Sequence, residues 1–129
     1  MQMTRPMQVL LSVAFVALAS GPLLAQEGDP AAGEKVFNKC KACHVLDEEK
    51  NRVGPYLLGV IGRPAGTAEG FTYSPAMKES GIVWDEETIA EYVADPRAYI
   101  PGNRMAFPGL KEQEDVTDLM AYLKEATQQ

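Results

Sequence analysis

The chain has 129 residues, 46% of them apolar, and a formal net charge of −6, which allows one ordinary globular domain and argues against a nucleic-acid-binding protein. It contains two cysteines and one histidine, too few ligands for a closed four-coordinate zinc site. With no second histidine, a Ser-His-Asp or Cys-His pair elsewhere is also excluded.

The first predicted element is a leader over residues 1–25. Arg5 precedes the apolar run Val9 to Ala19, and Gly21-Pro22 and the small residue Ala25 follow it, the layout of a secretory signal. Eleven residues, or sixteen if the run is extended to Leu24, fall short of the roughly 20 that a bilayer-crossing helix needs. Cleavage is expected after Ala25, with Ala19 as the alternative, and an uncleaved leader would tether the protein instead. The expected mature domain spans 26–129. Losing Arg5 takes its charge to −7, and the product is placed in the periplasm as an exported soluble protein.

Asp29-Pro30 reads as an N-cap followed by proline at the first helical position. Ala32, Val36, Phe37 and Cys40 then recur at helical spacing, so a helix is predicted from Pro30 to Ala42. Between Val45 and Thr72 no period emerges, and Gly54, Pro55, Gly59, Gly62, Pro64, Gly66 and Gly70 crowd one stretch. A long irregular loop inside a small domain calls for a large ligand to wrap. Ser74-Pro75 opens a short helical turn closed by Gly81, and Asp85 caps a helix over Glu86 to Ala94. Asp95-Pro96 starts another brief helix that stops before Pro101. The last helix runs from about Glu112 to Thr127, with Val116, Leu119, Met120 and Leu123 on one stripe. No strand alternation appears, and the fold class is all-α, short helices and long loops around one prosthetic group.

That group is identified by Cys40-Lys41-Ala42-Cys43-His44, the spacing at which c-type haem is attached. Two thiols about one turn apart can add to the two vinyl groups of the porphyrin, and the next residue brings an imidazole to the iron. In an exported protein a cysteine pair would ordinarily form a disulfide, and CxxC can be a redox dithiol. The redox reading expects a βαβ setting that this sequence lacks. One covalent haem c is therefore expected, with His44 as a metal ligand.

A second histidine ligand is impossible, and methionine is next in line. After the leader, Met77, Met105 and Met120 remain. Met120 lies on an apolar helix stripe and reads as core, while the orientation of Met77 in its short helix is open. Met105 sits in a loop stiffened by Pro101 and Pro108 and is the assigned sixth ligand.

At this point the chain resembles the soluble class I cytochromes c, in the bacterial cytochrome c2 branch, over nearly all of residues 28–127. The resemblance is carried by Gly33-x-x-x-Phe37, Gly54-Pro55-x-Leu57-x-Gly59, Gly62-Arg63, Gly70-Phe-Thr-Tyr-Ser74, Trp84, Tyr92, Tyr99-Ile-Pro-Gly102, Met105-x-Phe107 and Leu119-x-x-Tyr122. It implies the class I cytochrome c fold and a carbonyl at Pro55 that orients the His44 ring. It further implies that Arg63, Tyr73 and Trp84 meet the haem propionates and that Tyr92 lies near the methionine sulfur. Asn103 and Met77 depart from the mitochondrial branch, which has threonine and asparagine at those positions.

The function implied is one-electron transport without catalysis, by a monomer shuttling between membrane complexes. The donor would be a quinol:cytochrome c oxidoreductase, and the acceptor a terminal oxidase of a respiratory chain or a photosynthetic reaction centre. Lys39, Lys41, Lys50, Arg52, Arg97, Arg104 and Lys111 lie near the segments expected to touch haem, a candidate basic docking ring on an acidic protein. The competing reading is a haem protein with a labile sixth ligand that binds a small gas or peroxide. Cytochrome c′ is such a protein, but its CxxCH lies near the end of its chain rather than the beginning.

Overall fold

Local capping chemistry starts almost every helix. The computed structural model describes residues 27–128; the predicted leader and its cleavage site after Ala25 lie outside them. Helix α1 (Pro30–Phe37) begins where extended Asp29 accepts a hydrogen bond from Ala31 N at 2.9 Å. Proline at the next position has no N–H to leave unsatisfied there.

The predicted continuation of this helix to Ala42 is shortened. Beyond Phe37 the chain tightens into turns, with Lys39 N bonding Val36 O at 3.1 Å and Cys40 N bonding Phe37 O at 2.8 Å. The apolar spacing runs on to Cys40 without a break, so periodicity alone could not find the helix end. The change has a consequence for chemistry. Cys43 N donates to Cys40 O at 3.1 Å, an i to i+3 bond, and side chains three apart eclipse in that geometry. Both thiols are thereby brought to one side of the turn.

Helix α2 (Pro75–Lys78) starts where Ser74 accepts from Met77 N at 3.1 Å. Helix α3 (Glu86–Ala94) starts with a reciprocal capping box: Asp85 accepts from Thr88 N, and the Thr88 hydroxyl accepts from Asp85 N, both at 2.8 Å. Helix α4 (Pro96–Tyr99) is capped by Asp95, which accepts from Ala98 N at 3.2 Å. Helix α5 (Gln113–Ala126) has no side-chain cap; Glu114 and Asp115 in its first turn complement the positive end of its dipole instead.

The core forms where α1 and α3 pack on α5, with α4 against α3. Val36 and Phe37 meet Val116, Leu119, Met120 and Leu123, and each such buried side chain contributes about 1.5–3 kcal/mol. Gly33 allows the helices to close. A Cβ there would collide with the Asp118 carbonyl and approach Tyr122 Cβ to 2.7 Å. Phe37 and Tyr122 pack with ring centroids 5.8 Å apart. Among the described residues the only sheet-like feature is one isolated antiparallel bridge between Pro64 and Val83.

The irregular stretch after the CxxCH segment is pinned by backbone bonds to distant parts of the chain. Leu57 N bonds Val45 O at 2.8 Å, Gly62 N bonds Trp84 O at 2.6 Å, Ala65 N bonds Ile82 O at 2.8 Å, and Gly59 N bonds Thr127 O at 2.7 Å. Gly62, at φ +93°, turns the chain into this ladder through a conformation that residues with a side chain rarely adopt.

Candidate functional site

Cys40 and Cys43 are both half-buried free thiols. Burial pushes the Cys40 thiol above its ordinary range, a trend that Lys39 opposes and Cys43 reinforces. His44 follows directly, half-buried, with Nδ1 2.7 Å from Pro55 O. A carbonyl oxygen only accepts, so Nδ1 carries the ring proton and Nε2 keeps its lone pair free. Burial lowers the His44 pKa, the Pro55 bond works against that, and the Arg63 charge adds to it. A neutral imidazole whose second nitrogen donates to a carbonyl is the form in which histidine binds iron. Gly54 lies flat against the ring; a Cβ there would meet Nδ1 and Nε2 at 2.8 Å.

Arg63 sits across the irregular loop. Its guanidinium donates to Tyr56 O at 2.9 Å and to Leu58 O at 3.4 Å, and lies 5.0 Å over the Tyr56 ring. Its Nε is buried and has no hydrogen-bond partner. An orphaned guanidinium N–H is costly unless an acceptor is meant to meet it. Tyr73 accepts from Ala68 N at 3.0 Å; burial raises its pKa, while that bond and the Arg63 charge lower it. Trp84 is tied to Arg63 through the backbone, its N–H donating to Arg63 O at 2.9 Å.

Trp84 also packs on Tyr92 with centroids 5.1 Å apart, and Tyr92 in turn lies 6.3 Å from Tyr99. Burial alone pushes the Tyr92 hydroxyl up to about 12. Met105 is half-buried against the core to which Trp84 and Tyr92 belong, and its backbone N–H donates to Asn103 Oδ1 at 2.9 Å. Tyr92 reaches the same oxygen, at 3.3 Å. The other two methionines differ in setting: Met120 is 7% exposed in the α5 core, and Met77 is half-buried on α2.

The predicted residues thus form two groups. Arg63, Tyr73 and Trp84 lie along the loop, and Trp84 links them to Tyr92, which joins Met105 through Asn103. Two contributors escaped the sequence reading, Gly54 against the His44 ring and Tyr56 beneath Arg63; Asn103, which the sequence marks as a departure from the mitochondrial branch, is the organiser of the Met105 loop. Asn103 had a local signal, since asparagine readily accepts from the N–H two residues on.

Two free thiols on one side of a turn, a neutral imidazole with an open nitrogen and an unpartnered buried guanidinium N–H fit a haem held by thioethers and carrying carboxylates. The fold and site define a small all-α protein that binds haem covalently. A family model described as cytochrome c matches residues 30–127. The chain is 50% identical to cytochrome c2 of Blastochloris viridis over 121 residues, covering 92% of this chain and 94% of that one. It is 52% identical to cytochrome c2 of Rhodoblastus acidophilus over 99 residues, 76% and 92% of the two chains. The solved cytochrome cH from Methylobacterium extorquens superposes with a TM-score of 0.71 at 50% identity, over 75% of this chain and 98% of that one. The chain belongs to the cytochrome c family, as a class I member of the c2 branch with one covalently attached haem c. It is a haem-based electron carrier. Among the described residues no helix is long and apolar enough to cross a membrane.

Proposed function

We propose that the protein is a periplasmic carrier whose haem iron is ligated by His44 and Met105, exported by a leader over residues 1–25 that is removed to leave 26–129. When bound, the haem supplies a reversible one-electron couple. Cys40 and Cys43 would hold it, and His44 and Met105 would both bind its iron, which would leave no position for substrate. Above all, the bond from His44 Nδ1 to Pro55 O supports this reading, because it places a ring proton on Nδ1, while burial, which disfavours the charged ring, leaves Nε2 free. Arg63, Tyr73 and Trp84 would offer donors to its carboxylates, and the aromatic cluster about Tyr92 would keep water from Met105. The ferric protein is expected to display a methionine-to-iron charge-transfer band, and the ferrous protein to remain unchanged under carbon monoxide. Rapid carbon monoxide binding would instead mark a gas- or peroxide-binding protein.

The donor in this reading is a quinol:cytochrome c oxidoreductase, and the acceptor a terminal oxidase or a photosynthetic reaction centre. Lys39, Lys41, Lys50, Arg52, Arg97, Arg104 and Lys111 are all exposed, as steering charges must be. They are not equally free. Lys39 lies 3.7 Å from Asp115, Lys124 lies 3.0 Å from Glu86, and Lys111 Nζ donates to Pro108 O at 2.9 Å. Association with an acidic docking face is expected to slow as salt rises despite the acidic whole, because local charge steers docking. Arg104→Glu should slow it most, Lys39→Glu less, and Lys124→Glu least. Equal effects from all three, or faster association at higher salt, would remove the basic ring from the account.

A further inference from the structure

Asn103 stands in the loop between α4 and α5, two positions before Met105, and every hydrogen-bonding position of its amide is used. Nδ2 donates to Pro96 O at 2.7 Å and to Ile100 O at 2.8 Å. Oδ1 accepts from Met105 N at 2.9 Å and from the Tyr92 hydroxyl at 3.3 Å. A primary amide has two donor hydrogens and one oxygen with two lone pairs, so nothing is left over. The amide can face only one way. Flipped, its NH₂ would confront the Met105 N–H and its oxygen would confront two carbonyl oxygens.

These four partners come from three elements. Pro96 and Ile100 are the first residue and the C-cap of α4, a helix of 4 residues that is too short to persist on its own. Tyr92 belongs to α3 and is 8% exposed, packed between Trp84 and Tyr99. Met105 belongs to the loop itself. One side chain therefore ties the loop's backbone at Met105 to both ends of α4 through three bonds of 2.9 Å or less, and reaches α3 through a looser fourth. The fourth bond also settles a proton. Asn103 Oδ1 can only accept, so the Tyr92 hydroxyl donates to it.

Resting on the reading of Met105 as the sixth ligand, we propose that Asn103 is its positioning residue, setting how readily the methionine is displaced. The threonine of the mitochondrial branch, with one hydroxyl donor, cannot make both bonds to α4.

Titrating the ferric holoprotein with imidazole tests this, because imidazole enters only when Met105 leaves. Asn103→Leu keeps the branching and number of side-chain heavy atoms and removes all four bonds; it is expected to raise imidazole affinity about tenfold, the equivalent of about 1.4 kcal/mol. Asn103→Thr, whose hydroxyl can still accept from the Met105 N–H, should stay within about threefold of the native protein. Tyr92→Phe, which loses only the longest bond, should stay within about twofold. A native-like affinity in Asn103→Leu with the charge-transfer band intact overturns the proposal while leaving Met105 ligation standing. A native protein without that band overturns the ligand assignment itself, and the proposal with it. Should Asn103→Leu fail to fold, hydrogen exchange in the native holoprotein decides: the Met105 amide is expected to be protected, and exchange at the rate of an exposed amide overturns the clamp.

Discussion

Met105→Ala is expected to keep its covalent haem, lose the methionine charge-transfer band and bind cyanide about a hundredfold more tightly, a gain of about 2.7 kcal/mol. A ligand tethered to its own iron competes at high effective concentration, and the substitution removes that competitor. Met120→Ala should behave differently. Met120 is 7% exposed in the α5 core, so its loss is expected to cost about 2–5 kcal/mol of stability without opening the iron. Cyanide titration alongside denaturant unfolding separates the two variants. Persistence of the band in Met105→Ala would move the assignment to Met77, which is half-buried on α2.

Gly33→Ala is expected to destabilise the holoprotein by about 2 kcal/mol net, although alanine is the better helix former. Propensity favours the variant by about 1 kcal/mol. Against it stands a methyl group with no room: the new Cβ would strike the Asp118 carbonyl and come within 2.7 Å of Tyr122 Cβ. Overpacking between two helix backbones costs about 3 kcal/mol because neither can yield like a flexible side chain. Denaturant midpoints measure the outcome. A variant as stable as the native protein would mean that α1 and α5 do not approach as closely as Gly33 allows.

The elements legible in the sequence were those with local causes. Asp29-Pro30, Ser74-Pro75, Asp85 and Asp95-Pro96 each start a helix through a side chain acting two or three residues away, and such spacing can be read directly. The end of α1 could not, because its apolar period continues into the turns that carry Cys40 and Cys43. The CxxCH segment was legible for the same reason as the caps. What surrounds it was not. Tyr56 under Arg63, Gly54 against His44 and the reach of Asn103 to Tyr92 join residues that sit in different loops and helices, and no local pattern encodes such meetings. The resemblance to class I cytochromes c brought Pro55, Arg63, Tyr73, Trp84 and Tyr92 to attention and marked Asn103 as a departure from the mitochondrial branch, but it could not supply the partners of the Asn103 amide.

The irregular middle of the chain is far from loose. Gly62 to Trp84, Trp84 to Arg63, Ala65 to Ile82, Gly59 to Thr127 and Leu57 to Val45 are all joined by backbone bonds of 2.9 Å or less. When a redox centre gains or loses one electron, every dipole around it is pulled toward a new equilibrium, and the work of that readjustment slows the transfer. Loops free to swing would make the readjustment large. Amides locked to one another across the molecule can only polarise in place, as in any tightly packed interior. Irregular backbone held still is thus a medium that answers a change of charge with little movement, and a carrier set in it can hand an electron on without refitting itself at each exchange.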